Sequence, residues 1–167
     1  MGKSHCIDAF GAGEAYQDHP DVIVRPSLLV PAFLAAGFVI DRFGWTVPVY
    51  EPAQYLGGAG LIVAAAALMW AAVRAFRDAG MTFRTLQPAV AIVAAGPYAR
   101  FRNPACMAWL LAYIGIGVLA NAPAVVALAP ALFAILHFAV VLREEHYLEY
   151  RFGDAYLNYR QAVPRWP

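Results

Sequence analysis

Long apolar runs alternate with short charged segments along the 167-residue chain, and this pattern predicts helices that cross a membrane. A transmembrane helix takes roughly 20 predominantly apolar residues. The predicted spans, each almost free of charge, lie at about 26–45, 56–73, 105–120 and 122–142. We therefore predict an all-α, polytopic membrane bundle in residues 25–167, preceded by a cytoplasmic N-terminal tail in residues 1–24.

The third and fourth spans follow each other almost without a break. Only Asn121 and Pro123 interrupt the apolar sequence between them. Asparagine and proline are typical of turns, so these two spans are predicted to form a tight helical hairpin. The hairpin would place its turn at one membrane face and its two open ends together at the other.

Basic residues predict the orientation of the bundle. With four spans, eleven of the twelve basic residues fall on one side. These are Lys3, Arg25, Arg74, Arg77, Arg84, Arg100, Arg102, Arg143, Arg151, Arg160 and Arg165. Only Arg42 falls on the other side. Because loops rich in lysine and arginine stay in the cytoplasm, both termini and the 74–105 connection are predicted to be cytoplasmic.

The segment after Leu142 has a different periodicity. Leu148, Phe152, Tyr156 and Tyr159 follow one another at spacings of four, four and three, with charges between them. This spacing predicts an amphipathic helix at the membrane surface or over the 74–105 connection. Gly153 is the expected position of a break.

Composition supports a membrane protein and excludes some functions. The chain is 62% hydrophobic and 14% charged, whereas soluble domains have roughly 45–50% apolar and about 25% charged residues. Lipid is the expected partner of the excess apolar surface. The net charge of +1 argues against a nucleic-acid partner. Cys6 and Cys106 match no metal-binding spacing, so no metal site is predicted.

Two polar clusters lie at the predicted cytoplasmic ends of the hairpin. The first is residues 96–104, before the third span, and the second is residues 143–148, after the fourth. Because the hairpin brings its open ends together, Arg102 and either Glu144 or Glu145 are expected to line one pocket.

The order of motifs in this region resembles a known family. The motifs are Gly-Pro-Tyr at 96–98, Arg-Asn-Pro at 102–104, Glu-Glu-x-x-Leu at 144–148 and Phe-Gly-x-x-Tyr-x-x-Tyr at 152–159. This order resembles the isoprenylcysteine carboxyl methyltransferase family, especially its bacterial members, and is similar to the phospholipid N-methyltransferases. The resemblance implies a membrane enzyme that uses S-adenosylmethionine (SAM) as cofactor, with its site at the cytoplasmic face of the bacterial inner membrane.

The resemblance also implies which residues form the cofactor site. Carried over by position, they are Gly96, Pro97, Tyr98, Arg102, Asn103, Pro104, Glu144 and Glu145. Arg102, Glu144 and Glu145 are the candidate catalytic residues. A guanidinium fork suits the methionine carboxylate of SAM, so Arg102 is its expected ligand. Successive helical residues point about 100° apart, so one glutamate is expected to contact the cofactor and the other to pair with an arginine.

Four further residues are candidates for the substrate side: Cys106, His137, Tyr156 and Tyr159. Cys106 stands where the family usually has tyrosine, which leaves the geometry of the methyl acceptor open. His137 is an ionisable residue inside a span, which indicates function by default, although a hydrogen bond to a neighbouring helix explains it equally well. The two tyrosines also fit a role as interfacial aromatics.

The resemblance leaves the methyl acceptor open. A carboxylate of a lipophilic, isoprenylcysteine-like substrate is the first expectation, and a phospholipid or a small amine or thiol is the alternative. Sterol-reductase-like enzymes, which bind NADPH, have a similar C-terminal region. A membrane interaction protein without catalytic activity is the third alternative.

Overall fold

The computed structural model of the protein describes residues 25–43, 51–80 and 92–167, and these ranges contain helices and their connections but no strand. The predicted N-terminal tail, residues 44–45 of the first predicted span and residues 81–91 of the 74–105 connection lie outside the described residues.

Seven α-helices and two short helical segments of other types make up the described chain. They are α1 (Pro26–Asp41), α2 (Glu51–Asp78), a 3₁₀ turn (Gly96–Ala99), α3 (Pro104–Leu119), α4 (Pro123–Ala127), α5 (Ala129–Ile135), a π-helical segment (Leu136–Val141), α6 (Leu142–Phe152) and α7 (Asp154–Ala162). From α4 to α6 these elements form one helix of 30 residues.

Two of the helices are long and apolar enough to cross a membrane, and two are shorter. The long ones are α2, with 28 residues, and the 30-residue helix that starts at Pro123. Helices α1 and α3 are apolar and have 16 residues each. Large apolar side chains such as Leu56, Val63 and Trp70 are exposed along α2, which lipid accommodates and water does not. The all-α polytopic bundle that the apolar runs predict is therefore confirmed.

The helix limits differ from the predicted spans at their polar ends. Helix α2 continues on both sides of the predicted span 56–73, and the last long helix continues ten residues past Leu142, to Phe152. Hydropathy predicts only the apolar part of a helix, whereas backbone hydrogen bonding continues into charged turns. The sequence pattern therefore underestimates the length of both long helices.

The helical hairpin is as tight as its sequence predicts. Asn121 takes a left-handed backbone conformation (φ 47°), which asparagine tolerates better than most residues. The Ala122 amide donates to the Gly117 carbonyl at 2.9 Å. Asp41, at the end of α1, connects that helix to the hairpin turn, because its Oδ1 accepts a hydrogen bond from the Ala124 amide at 2.9 Å.

Small residues allow close helix contacts within the bundle. A Cβ atom added to Gly37 of α1 would lie 2.8 Å from the Cα atom of Val125. One added to Gly115 of α3 would lie 3.1 Å from the carbonyl oxygen of Gly58 on α2. In a membrane, helices associate largely through such close packing. These contacts hold α1 and α2 against the hairpin.

Helices α6 and α7 form a bent, surface-facing end to the bundle. Gly153, between them, has φ 51° and ψ −126°, a conformation that a residue with a Cβ atom rarely adopts. The chain turns there, and α7 runs back toward the 3₁₀ turn, where Tyr159 reaches Tyr98. The predicted amphipathic helix and its break at Gly153 are confirmed.

Candidate active site

The Gly-Pro-Tyr segment forms the 3₁₀ turn and anchors it on α2. Gly96 begins the turn with φ 58°, and Pro97 follows it at a position where its fixed φ suits a helical start. Tyr98 is buried against Ala72 and Ala75 of α2, and its ring meets that of Phe76 edge-on, with 5.3 Å between the centroids. The turn therefore sets the chain direction just before Arg102.

A charged triad of Arg102, Glu145 and Arg165 lies at the open end of the hairpin. Arg165 donates from Nε to Glu145 Oε1 at 2.9 Å and from Nη2 to Oε2 at 2.8 Å. Arg102 Nη2 lies 3.5 Å from the same Oε1. The side chains of Arg102 and Glu145 are each only 8% exposed. Two cations share one carboxylate, so the triad has a net charge of +1 in a largely buried place.

Arg102 has hydrogen-bonding capacity that the described protein atoms do not use. Its Nε and Nη1 atoms are buried and have no hydrogen-bond partner among the described residues. The adjacent Asn103 is also buried, and its Nδ2 atom likewise has no partner in that part of the chain. Asn103 precedes α3 without capping it through its side chain, and Pro104, fully buried, starts the helix. Because unpaired buried donors are costly, this set of donors indicates a site for an anionic or oxygen-rich ligand.

Two phenols, Tyr156 and Tyr159, lie near the triad, and a third, Tyr98, is linked to them through Tyr159. The Tyr159 hydroxyl donates to the Tyr98 carbonyl at 2.7 Å, which joins α7 to the 3₁₀ turn. Burial raises the pKa of Tyr156 and of Tyr159 to about 12, although the charge of Arg102 opposes the rise in both. Burial also raises the pKa of Tyr98, and the charge of Glu144 adds to this. All three hydroxyls are therefore protonated at neutral pH and can act as hydrogen-bond donors.

Glu144 and Glu145 have different surroundings, as expected for successive helical residues. Glu145 is engaged by the two arginines. Glu144 is half-buried and acts electrostatically on the hydroxyl of Tyr98. Cys106 is buried in the first turn of α3. Glu145 is thus the glutamate that pairs with arginine, as the sequence predicts for one of the two.

His137 lies apart from this cluster. It belongs to the π-helical segment, eight residues before Glu145, which corresponds to roughly 12 Å along a helix. Its ring stacks on Phe133 at 6.0 Å and lies 5.9 Å from that of Trp166, and its buried Nδ1 has no partner among the described residues. His137 is thus about two helical turns from Glu145, and its role on the substrate side stays a prediction.

The structure brings together most of the residues that the sequence nominates and adds one that it does not. The members of the cluster are Tyr98, Arg102, Asn103, Cys106, Glu144, Glu145, Tyr156 and Tyr159. Arg165 is the addition. In the sequence it is one of the eleven basic residues predicted to be cytoplasmic, and its only local signal is the Pro-Arg-Trp-Pro sequence around it. Among the described residues, no group of histidine, cysteine or carboxylate side chains could hold a metal ion.

Comparison with known proteins identifies the family of the chain. The family model for phospholipid methyltransferases matches residues 53–155, which is more than half of the chain and includes the Gly-Pro-Tyr, Arg-Asn-Pro and Glu-Glu motifs. No curated protein and no solved structure matches the chain significantly. The match confirms the methyltransferase resemblance of the sequence, since this family covers the isoprenylcysteine carboxyl methyltransferase-like proteins. The chain belongs to the phospholipid methyltransferase family and is a membrane methyltransferase.

Proposed function

We propose that the protein transfers the methyl group of SAM to a lipophilic acceptor that reaches the site from the bilayer. The observation that supports this most is Arg102, which is largely buried and has two nitrogens without a partner among the described residues. SAM carries a carboxylate, which suits these nitrogens. Members of the family typically use SAM.

The chemistry of the donor set fits SAM at further points. The net charge of +1 on the Arg102, Glu145 and Arg165 triad would be neutralised by the carboxylate of the cofactor. Asn103 Nδ2 adds a neutral donor. Glu144, on the side of Tyr98, is suited to the ammonium or the ribose hydroxyls of SAM. We therefore propose that Arg102 and Asn103 bind the carboxylate of SAM, and that Glu144 accepts hydrogen bonds from its ammonium or ribose hydroxyls.

When bound, SAM supplies a methyl group on a positively charged sulfur for an in-line displacement. The contribution of the protein is to align the two reactants and to exclude water. Burial of Arg102, Asn103 and Glu145 excludes water from the charged groups that would hold the cofactor. Exposed apolar side chains on the long helices suit contact with lipid, where a lipophilic acceptor is dissolved. The cofactor would thus enter from the cytoplasmic side and the acceptor from the lipid side.

We further propose that the acceptor is a carboxylate, as the resemblance to isoprenylcysteine carboxyl methyltransferases implies. A carboxylate is ionised at neutral pH, so it needs no general base. An amine acceptor is the second candidate, favoured by Glu144, since a carboxylate beside Tyr98 could accept the proton that an ammonium must lose. Cys106 lies at the same place and would contact either acceptor.

The test is transfer of a radiolabelled methyl group from SAM into a lipid and small-molecule extract. Base treatment separates the candidates, because a methyl ester releases volatile labelled methanol whereas an N-methyl or S-methyl group does not. The carboxylate assignment predicts base-labile label. Base-stable label would reverse the choice of acceptor, and absence of label transfer that depends on the protein would contradict the proposed function.

A further inference from the structure

The last five residues of the chain, 163–167, fold back over the site, and we call them the C-terminal strap. Val163 is buried at the end of α7, and the Pro164 carbonyl accepts a hydrogen bond from the Arg102 amide at 3.0 Å. Trp166 packs against Phe133 of the last long helix, with 5.1 Å between ring centroids. Arg165 is therefore held from both sides and points at Glu145.

The two arginines of the triad compete unequally for Glu145. Arg165 uses Nε and Nη2 in two parallel hydrogen bonds, at 2.9 and 2.8 Å, and so engages both carboxylate oxygens. Arg102 reaches only Oε1, at 3.5 Å. A carboxylate beside an arginine normally forms a two-bonded fork with it. With both oxygens of Glu145 taken by Arg165, Arg102 keeps Nε and Nη1 free.

We propose that Arg165 is a positioning residue that occupies Glu145 and thereby keeps Arg102 available for the carboxylate of the cofactor. This inference rests on the proposed function, in which Arg102 binds SAM. Without Arg165, Glu145 would turn its carboxylate fully to Arg102 and compete with the ligand for the same nitrogens. Glu145 is then not a ligand of SAM itself but the group that Arg165 must restrain.

A simpler role for Arg165 makes a different prediction. If Arg165 only attracted the cofactor by its charge, its loss would weaken binding whether or not Glu145 was charged. If it restrains Glu145, its loss would matter only while Glu145 carries a negative charge. A double-mutant cycle separates the two roles, because the coupling between the substitutions is measured directly.

The experiment measures binding of S-adenosylhomocysteine (SAH), the demethylated product of SAM, to the full chain in detergent. Arg165→Met should weaken SAH binding by roughly tenfold or more, as expected for a competing charged pair. In the Glu145→Gln background the same substitution should change affinity by less than about threefold. Arg160→Met is the matched control. Arg160, on α7, pairs with Glu149, on α6, at 2.9 Å in an exposed place, and its loss should leave SAH affinity unchanged.

Equal weakening in the two backgrounds would overturn the role of Arg165, and so would unchanged affinity in Arg165→Met. Loss of SAH binding in Glu145→Gln alone would also overturn it, because it would make Glu145 a direct ligand. Arg165→Lys provides the test if Arg165→Met does not fold, since a lysine can hold one carboxylate oxygen but not both; we expect intermediate affinity, and wild-type affinity would count against the proposal. Absence of SAH binding by the wild-type protein would instead contradict the proposed function.

Discussion

The Glu145→Ala substitution tests how much the buried triad stabilises the fold. It removes the carboxylate that both Arg102 and Arg165 use and leaves two cations without their anion. Removing one partner of a buried ion pair costs about 3–5 kcal/mol. Because the Arg165 side chain is 30% exposed and can turn toward water, we expect the lower end, about 3 kcal/mol. For a chain of this size that corresponds to a fall in Tm of roughly 6–12 °C.

A matched pair on the same helix provides the control. Glu149 lies one helical turn further along α6 and pairs with Arg160 at 2.9 Å, with the side chains 40% and 45% exposed. An exposed pair contributes about 0–1 kcal/mol, so Glu149→Ala should lower Tm by no more than about 4 °C. Thermal unfolding in detergent, followed by tryptophan fluorescence, measures both. Equal shifts for the two variants would refute the account of the triad as a buried and stabilising centre.

Two further substitutions, the first paired with a control, test the packing of α1 on the hairpin and the hydrogen bond between α7 and the 3₁₀ turn. Gly37→Ala places a Cβ atom 2.8 Å from the Val125 backbone and should destabilise the protein by about 1–3 kcal/mol. Gly60→Ala is the control, because a Cβ atom at Gly60 would lie within 4 Å of no atom of the described structure outside its own stretch of helix, and the change should be neutral or stabilising. The same shift in stability in both variants would disprove the close contact of α1 with the hairpin. Tyr159→Phe removes the 2.7 Å hydrogen bond to Tyr98 and should cost about 1–2 kcal/mol in chemical denaturation, and an unchanged midpoint would show that this bond does not stabilise the site.

The helical part of the fold follows from features that are local in sequence. The apolar runs predict the helices, Asn121 and Pro123 predict the hairpin turn, and Gly153 predicts the break before α7. These signals work because lipid burial and turn conformation depend on a few neighbouring residues. The polar ends of α2 and of the last long helix carry no such signal. The π-helical segment at Leu136–Val141 is not predicted either, since no turn residue such as glycine, proline or asparagine marks it.

The sequence predicts most residues of the candidate site, but it does not predict which of them form ion pairs with each other. The two ends of the hairpin bring Arg102 and Glu145 together, as the topology requires. Which glutamate pairs with an arginine depends on the helical phase after the π-helical segment, which the sequence does not reveal. Arg165 reaches Glu145 only because the chain reverses at Gly153 and the strap crosses the site. Such a contact depends on tertiary structure and leaves no spacing pattern in the sequence. The predicted orientation of the bundle in the membrane stays a prediction.

The central claim is that Arg102 binds the carboxylate of SAM in a membrane methyltransferase. Titration of SAH into the detergent-solubilised full chain, wild type against Arg102→Gln, tests it most directly. Arg100→Gln is the control, because Arg100 lies on the same loop but is exposed. The account predicts that the wild-type protein and Arg100→Gln bind SAH alike, whereas Arg102→Gln binds at least roughly a hundredfold more weakly, as expected when a buried charged contact is lost. Equal affinity of all three proteins for SAH would contradict it.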